Sequence, residues 1–229
     1  MPHKEKRKEA VSPRRFTSHD NFLDLKLIEQ RNLYMEGSLE KNIWKTSYAW
    51  QDIVRRASPP IAILPLPDVF NDAIREQLKT ISLTWNDDDP PIRSMYYLGA
   101  PGSYVAWHDD SCYEFASIIF LNEGWNPNWG GLHFYEDLNG LGLRAEVPVF
   151  NRCLINAGGV PHGASITSPD APPRRVIITF GPRAKGKKEL ARRQEAWIKW
   201  RNGRNCTMSY IEDKALGRLA KAAQEYIIK

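Results

Sequence analysis

The sequence predicts a mainly β fold, a sandwich or jelly roll, with helices on both sides of it in the chain. Three observations predict this fold. Short runs with β-strand character follow one another beyond Pro91, and turns rich in Gly, Pro and Asn separate them, as in residues 99–102 and 126–131. Helical patterns occur only before and after this region. Many short strands with regular turns are typical of a sandwich or jelly roll, whereas a parallel sheet needs crossover helices between its strands.

Composition excludes disordered and fibrous proteins. Of the 229 residues 42% are hydrophobic and 26% are charged, which is ordinary for a globular protein. No apolar run reaches the roughly eighteen residues of a membrane helix, and residues 1–10 lack the apolar segment of a secretory signal. We therefore expect a soluble, cytoplasmic protein without a membrane partner. Three cysteines without C-x-x-C spacing indicate neither a disulfide framework nor a zinc site.

The elements before the strands are a tail and two helices. Residues 1–19 are predicted to be a basic flexible tail, because residues 1–15 hold six Lys/Arg against two Glu and show no apolar periodicity. A helix can start at Asp20, a favourable N-cap residue followed by an apolar side. A second helix is predicted after Asp68, with apolar residues at helical spacing as far as Ile81.

Seven apolar or β-branched runs are predicted to be strands, and they form a core that starts at about residue 93. They are residues 93–98, 104–108, 115–121, 132–135, 147–150, 153–155 and 175–180. Residues 20–182 are therefore taken as one domain. After Gly181 and Pro182 the pattern is helical again, so residues 183–229 are predicted to be a C-terminal helical extension.

Charge is unevenly distributed along the chain, although the net charge is only +5. Residues 183–229 hold thirteen Lys/Arg against five Asp/Glu, so both ends are basic. A polyanion partner such as a nucleic acid is one explanation. Solvated tails and charged helix faces explain the same pattern more simply.

A metal site is predicted from two separate motifs. His108 and Asp110 lie at the end of a predicted strand, where residues i and i+2 share a face, so Asp109 points away. His162 follows in a turn-like segment, Gly-Val-Pro-His-Gly. Two imidazoles and one carboxylate on one side of an ion leave the opposite positions open, as in non-haem Fe(II) oxygenases. A lone His-Asp pair is more often structural, so the prediction depends on all three residues.

An anion-binding pair is predicted on the last strand. Arg175 and Thr179 share a strand face and place a guanidinium and a hydroxyl in line to hold a carboxylate. The neighbouring Arg174 leaves the register open. We choose Arg175 because the apolar strand begins directly after it and because Thr179 follows at i+4.

Taken together and in this order, the motifs of residues 94–182 resemble those of the Fe(II)- and 2-oxoglutarate-dependent dioxygenases, in particular the prolyl-hydroxylase-like branch. The similar elements are Tyr97-Leu98-Gly99, His108-x-Asp110, an apolar strand ending in Leu121-Asn122-Glu123-Gly124-Trp125, Gly130-Gly131, Pro161-His162 and the arginine strand. Phe120 stands where relatives often have a tyrosine that helps to hold the cosubstrate.

The resemblance implies a fold, a site and a reaction. The fold is a double-stranded β-helix, which makes residues 20–182 a dioxygenase domain. The implied ligands of Fe(II), and hence the catalytic residues, are His108, Asp110 and His162, and the implied 2-oxoglutarate contacts are Arg175, Thr179 and Tyr97. The reaction is hydroxylation of an unactivated C–H bond in an amino acid, a peptidyl residue or a small metabolite. Dioxygen is consumed, succinate and carbon dioxide are released, and ascorbate could serve as reductant.

Several aromatic residues near these motifs are candidates for lining the substrate mouth, although core packing is the more frequent role of any one of them. These candidates are Trp107, Trp125, Trp129 and Tyr135. His133 is not placed as a ligand by the pattern, and we favour a structural role for it.

Two other functions fit parts of the pattern. A nucleic-acid demethylase of the AlkB type shares the His-Asp-His motif, but Ile177 and Gly181 stand where that family has an asparagine and a second arginine. A non-catalytic jelly-roll binding protein would keep the fold alone, and the intact set of His108, Asp110, His162 and Arg175 argues against it.

Overall fold

The computed structural model describes residues 16–30, 34, 45–47, 61–81, 92–110, 113–137, 142–157 and 159–182. Its strands are β1 (Phe16–His19), β2 (Lys45–Ser47), β3 (Ile61–Pro65), β4 (Arg93–Gly99), β5 (Val105–His108), β6 (Tyr113–Phe120), β7 (His133–Asp137), β8 (Gly142–Glu146), β9 (Cys153–Ala157), β10 (His162–Ala164) and β11 (Arg174–Pro182). The helices are α1 (residues 25–30), α2 (Asp68–Thr80) and one 3₁₀ turn (Pro127–Trp129). The predicted C-terminal extension, 183–229, and residues 1–15 of the predicted tail lie outside the described residues.

The strands form two antiparallel sheets, which confirms the predicted jelly roll. The larger sheet has seven strands in the order β1-β9-β6-β11-β4-β3-β2. The smaller sheet has four strands in the order β5-β10-β7-β8. Most neighbouring strands are distant in the chain, as expected for a jelly roll rather than for a simple meander.

The two faces of the larger sheet have different partners, because side chains alternate along each strand. One face carries Tyr96, Ile119 and Ile177 and belongs to the same buried cluster as Ile74 and Leu78 of α2. We call it the helix face. The opposite face carries a second cluster of Ile118, Phe120, Leu154 and Val176, against which Phe16 and Tyr97 pack. We call it the inner face, because Phe16 stacks across it on Tyr135 of the smaller sheet, with ring centroids 3.7 Å apart.

Helix α2 forms where the sequence predicts it. Phe70, Ile74 and Leu78 recur at helical spacing and are buried. Asn71 joins the helix to the sheet, since its side-chain amide donates to the Leu66 carbonyl and its oxygen accepts from the Ser94 N–H. The helix therefore closes the helix face, and the inner face stays available for a site.

Three other elements differ from the prediction. Residues 20–24 are not helical, and the helix begins at residue 25. Residues 147–150 form a loop instead of a strand, because Pro148 has no N–H to donate and Asn151 turns the chain with φ 58°. The strand beside β7 is β8, which the prediction missed because its side chains are almost all exposed and show no apolar alternation.

The start of the domain is earlier than predicted. Strand β3 is buried throughout and pairs with β4, so the sheet does not begin at residue 93. Strand β1 falls inside the predicted tail, yet it pairs with β9 from Phe16↔Asn156 to His19↔Cys153. The boundary at residue 20 is therefore corrected, because the domain already includes residues 16–19. Among the described residues, no helix has both the length and the hydropathy of a membrane span.

The stacking of Phe16 on Tyr135 leads to a prediction about stability. Phe16→Ala should lower the free energy of unfolding by about 2–4 kcal/mol, somewhat less than for a fully buried phenylalanine, because Phe16 is only partly buried. Urea denaturation measures the loss. The matched control is Leu25→Ala on α1, whose side chain is 62% exposed and should matter little. Equal losses in the two variants would show that β1 does not help to hold the sheets together.

Candidate metal centre

Three side chains meet on the smaller sheet in the geometry of a metal site. His108 ends β5, His162 begins β10, and the two residues are direct partners in the antiparallel pairing. Asp110 follows β5, and its two carboxylate oxygens lie 3.6 Å from His108 Nε2 and 3.4 Å from His162 Nε2. The potential ligand atoms of all three residues lie within 4.8 Å of one another. The structure therefore brings the predicted ligands together, and we call them the His-Asp-His cluster.

Asp110 reaches the cluster by a turn, not by strand alternation as predicted. Strand β5 ends at His108, and Asp110 has φ 47°. Aspartate tolerates this left-handed conformation better than most residues. The turn is held on both sides, because the Asp109 carbonyl accepts from Gly159 N–H and the Asp110 carbonyl accepts from Tyr113 N–H, each at 2.9 Å. The exposed Asp109 side chain is not part of the cluster.

Backbone carbonyls orient both imidazoles. His108 Nδ1 lies 2.8 Å from the Ala106 carbonyl, and His162 Nδ1 lies 2.8 Å from the Val160 carbonyl. A carbonyl only accepts, so the His108 Nδ1 carries a proton. The His162 Nδ1 also lies 2.8 Å from the side-chain nitrogen of Asn156. The Nε2 atoms of both rings face Asp110. Asn156 also donates to the Val160 carbonyl, which holds this acceptor in place. Such support fixes the direction of metal-binding histidines.

The carboxylate of the cluster is ionised. Burial raises the pKa of Asp110, but hydrogen bonds from His108 and His162 outweigh it and hold the pKa well below its ordinary value. The side chains of His108, Asp110 and His162 are 15%, 12% and 7% exposed, so water has little access to their ligand atoms. An anionic oxygen and two imidazole nitrogens suit Fe(II) and related divalent metals.

Tyr97 of β4 lies on the inner face, as expected for a residue near the cluster. Its pKa is raised above the ordinary value by burial, and further by the neighbouring Tyr113 and Asp110. The phenol is therefore neutral at physiological pH and keeps a proton to donate.

The structure does not bring Arg175 and Thr179 to the cluster. Arg175 pairs with Leu98, and Thr179 pairs with Ser94 and shares a 2.9 Å hydrogen bond with its hydroxyl. Both positions belong to the helix face of β11, together with Ile177. The two residues do share one face, as predicted, but it is the face turned away from the site.

Arg174 takes the place that the prediction gave to Arg175. It alternates with Arg175 and therefore lies on the inner face, in line with Val176. Its side chain is only 5% exposed, and burial lowers its pKa to about 10. Among the described residues nothing accepts a hydrogen bond from its Nη1. A buried charged nitrogen without a partner is costly, so this position is suited to an anionic ligand.

His133 is a second buried residue that sequence reasoning undervalued. It begins β7 and pairs with Ala164, two residues beyond His162, so it shares the face of the cluster. Its ring centroid lies 5.4 Å from that of His162. Burial lowers the pKa of His133 well below its ordinary value, and the nearby His162 and Arg174 add to this effect, so the ring is neutral. The alternation of side chains within β7 is the signal that could have placed His133 on the face of the cluster. Using that signal requires the pairing register of β7 with β10, which is not evident from the sequence alone.

Of the four aromatic residues predicted as candidates for the substrate mouth, one shares the face of the cluster, one lies on an outer face and two belong to a loop. Tyr135 pairs with His162 and shares its face. Trp107 is 47% exposed and alternates with His108, so it lies on the outer face of β5. Trp125 and Trp129 pack edge to face with centroids 5.5 Å apart, and the Trp125 ring donates to the Gly130 carbonyl. These two tryptophans order the loop that leads into β7.

Among the comparisons with known proteins, only the comparison with solved structures finds matches, and these support the fold. No protein-family model matches the chain, and neither does any curated protein. A Pseudomonas putida prolyl-4-hydroxylase matches with a TM-score of 0.60 and 17% identity, over 76% of this chain and 95% of that chain. The Trichoplax adhaerens prolyl hydroxylase in complex with a hypoxia inducible factor peptide fragment matches with a TM-score of 0.58 and 15% identity, over 77% and 86%.

A third solved structure of this fold contains small molecules. HygX from Streptomyces hygroscopicus, with nickel, 2-oxoglutarate and hygromycin B bound, matches with a TM-score of 0.54 and 9% identity, over 74% of this chain and 83% of that chain. The chain therefore has the fold of these prolyl hydroxylases and of HygX. At the level of fold, this confirms the resemblance seen in the motifs.

The turn at residues 109–110 leads to a prediction about metal binding. Asp110→Ala should weaken binding of Fe(II), measured by anaerobic calorimetry, by about a hundredfold or more. Mutation of a residue that only hydrogen-bonds to a metal ligand already lowers metal affinity by about ten- to a hundredfold, and Asp110 is itself a proposed ligand. Asp109→Ala, the neighbouring carboxylate, should bind the metal like the unmodified protein. Equal losses in the two variants would contradict the assignment of Asp110.

Proposed function

We propose that this protein is an Fe(II)- and 2-oxoglutarate-dependent oxygenase that hydroxylates an unactivated C–H bond. One observation carries the proposal: the His-Asp-His cluster and the buried Arg174, whose Nη1 has no partner among the described residues, lie between the same two sheets. The cluster offers three ligands to a metal, and Arg174 offers a guanidinium to an anion. The likeness of fold to the prolyl hydroxylases and HygX supports the proposal independently.

The residues present fit Fe(II). His108 and His162 turn their Nε2 atoms toward Asp110, and their Nδ1 atoms lie within hydrogen-bonding distance of backbone carbonyls. Three ligands from one side leave further positions open for other molecules, which is the feature that distinguishes such an iron site from a closed structural zinc site.

The residues also fit a cosubstrate with a carboxylate at each end. Arg174 would hold the far carboxylate, and Tyr97 would donate its phenolic proton nearer the cluster. Between them the inner face is apolar, with Ile118, Phe120 and Val176. Phe120 has no hydroxyl to offer, and that of Thr179 is bonded to Ser94 on the other face. The cosubstrate contacts are therefore proposed as Arg174 and Tyr97, and Arg175 and Thr179 are withdrawn.

The protein contributes placement and exclusion of water. Bound Fe(II) with 2-oxoglutarate supplies the oxidising chemistry, in which dioxygen, succinate and carbon dioxide balance the hydroxylation of the substrate. His108 and His162 keep fixed directions through their carbonyl partners, and Asp110 stays ionised. The apolar side chains of the inner face would lower the local dielectric constant between the cluster and Arg174, which would strengthen charge interactions there.

The proposed substrate is an amino acid, a peptidyl residue or a small metabolite. Structures of this fold bind both kinds of molecule: a peptide fragment in the Trichoplax adhaerens enzyme and hygromycin B in HygX. Tyr135, which shares the face of His162, is proposed to form part of the wall of the substrate site. Its phenol donates to Glu146, so the ring has a defined orientation.

Formation of succinate tests the function before a substrate is known. The purified protein, supplied with Fe(II), 2-oxoglutarate, dioxygen and ascorbate, should release succinate slowly even without substrate, and His162→Ala should release none. If the protein binds the metal but forms no succinate under any tested condition, then the jelly-roll binding protein replaces the oxygenase.

The correction from Arg175 to Arg174 leads to a quantitative prediction. Arg174→Ala should raise the KM for 2-oxoglutarate by about a hundredfold, because a charged hydrogen-bonded pair in a buried site is worth roughly 1.5–3 kcal/mol. Arg175→Ala, the adjacent and chemically identical change, should alter this KM by less than about threefold, since Arg175 lies on the face of β11 turned away from the cluster. The reverse ranking, measured by succinate release, would restore Arg175.

A further inference from the structure

His133 has an unused polar atom inside the proposed site. The side chain is 6% exposed, and its Nε2 finds no hydrogen-bond partner in the part of the chain that the structure describes. A buried polar atom left unpaired costs free energy, so its position calls for an explanation. The metal does not explain it, because His133 is not part of the His-Asp-His cluster.

A second unpaired nitrogen on the inner side of the sheets belongs to Arg174, and the backbone places it next to His133. A Cβ added to Gly131 would lie 3.6 Å from Arg174 Cδ, so the arginine side chain passes directly beside this glycine. His133 is two residues further along the same segment. Thus His133 from the smaller sheet and Arg174 from the larger sheet converge, each with one unpaired nitrogen.

The His133 ring is held in a fixed orientation. It packs on Phe16, with centroids 5.5 Å apart and an interplanar angle of 28°, and on His162, with centroids 5.4 Å apart. The ring thus lies between the metal cluster and β1, and it does not have to be ordered when a ligand arrives. A donor fixed in advance contributes more to binding than a mobile one.

We propose that His133 is a cosubstrate-binding residue whose Nε2–H donates to the distal carboxylate of 2-oxoglutarate beside Arg174. A neutral imidazole carries one N–H, and a carboxylate has enough lone pairs to accept from both residues. The pair replaces the arginine-hydroxyl pair predicted from the sequence, and it selects 2-oxo acids that have a second carboxylate. This inference rests on the proposed function, since it assigns a further contact to the same cosubstrate.

Binding of two 2-oxo acids of equal length tests the inference without turnover. The Ni(II)-loaded protein is titrated by calorimetry with 2-oxoglutarate and with 2-oxopentanoate, which lacks the distal carboxylate. His133→Leu should weaken binding of 2-oxoglutarate about tenfold or more, the usual worth of a hydrogen bond to a charged group. Binding of 2-oxopentanoate should change less than about twofold, because this acid has no distal carboxylate to accept from His133. A packing defect would instead weaken the binding of both acids.

Two further variants sharpen the test. His133→Gln keeps an N–H at similar reach and should recover part of the lost affinity for 2-oxoglutarate. His19→Leu makes the same chemical change on β1, where His19 contacts Thr17 away from the cluster, and should leave both affinities unchanged.

The outcomes separate this inference from the proposed function. If the unmodified protein binds 2-oxoglutarate and His133→Leu binds it equally well, only the role of His133 is overturned. Equal weakening of both acids in His133→Leu would also overturn it, because it would show a packing role. If the unmodified, metal-loaded protein binds no 2-oxoglutarate, the proposed function fails together with the inference.

Discussion

The pairing of β10 with β5 on one side and β7 on the other is the constraint on which the rest of the site depends. It sets His162 opposite both His108 and Tyr135. A shift of one residue would turn every one of these side chains to the opposite face. The close approach needs a glycine at position 163, because an added Cβ would lie 2.9 Å from the Val105 carbonyl. A small residue thus permits the register that assembles the metal site.

The interior between the sheets has polar groups at its ends and apolar side chains between them. The His-Asp-His cluster satisfies itself in part, since Asp110 faces both imidazoles. Arg174 and His133 each keep a buried nitrogen with no acceptor or donor among the described residues. The fold tolerates this unfavourable arrangement, and a ligand that pairs with these nitrogens would stabilise the folded state as well as bind to it. The cost of these unpaired nitrogens is therefore a physical reason to expect an anionic ligand.

The sequence predicts those features of the structure that depend on residues close together in the chain. The order and spacing of the histidine and aspartate motifs predict the metal ligands, and α2 follows from its apolar periodicity. Register is not local. Two adjacent arginines differ only in face, and the face of Arg174 depends on the partners of β11 in β4 and β6. Strand β1 was missed for a related reason, since pairing with β9 holds it and not a pattern of its own. Strand β3 is a short, fully buried apolar run, which periodicity alone does not distinguish from a buried piece of helix.

The most direct test of the account is an anaerobic titration of the metal-free protein with Fe(II) and then 2-oxoglutarate, followed in the visible spectrum. Chelation of Fe(II) by the 2-oxo and adjacent carboxylate groups should produce a weak charge-transfer band. The account predicts that this band appears with the unmodified protein and is absent with His162→Ala. Metal binding without the band would contradict the central claim, because the site would then hold a metal but not the cosubstrate.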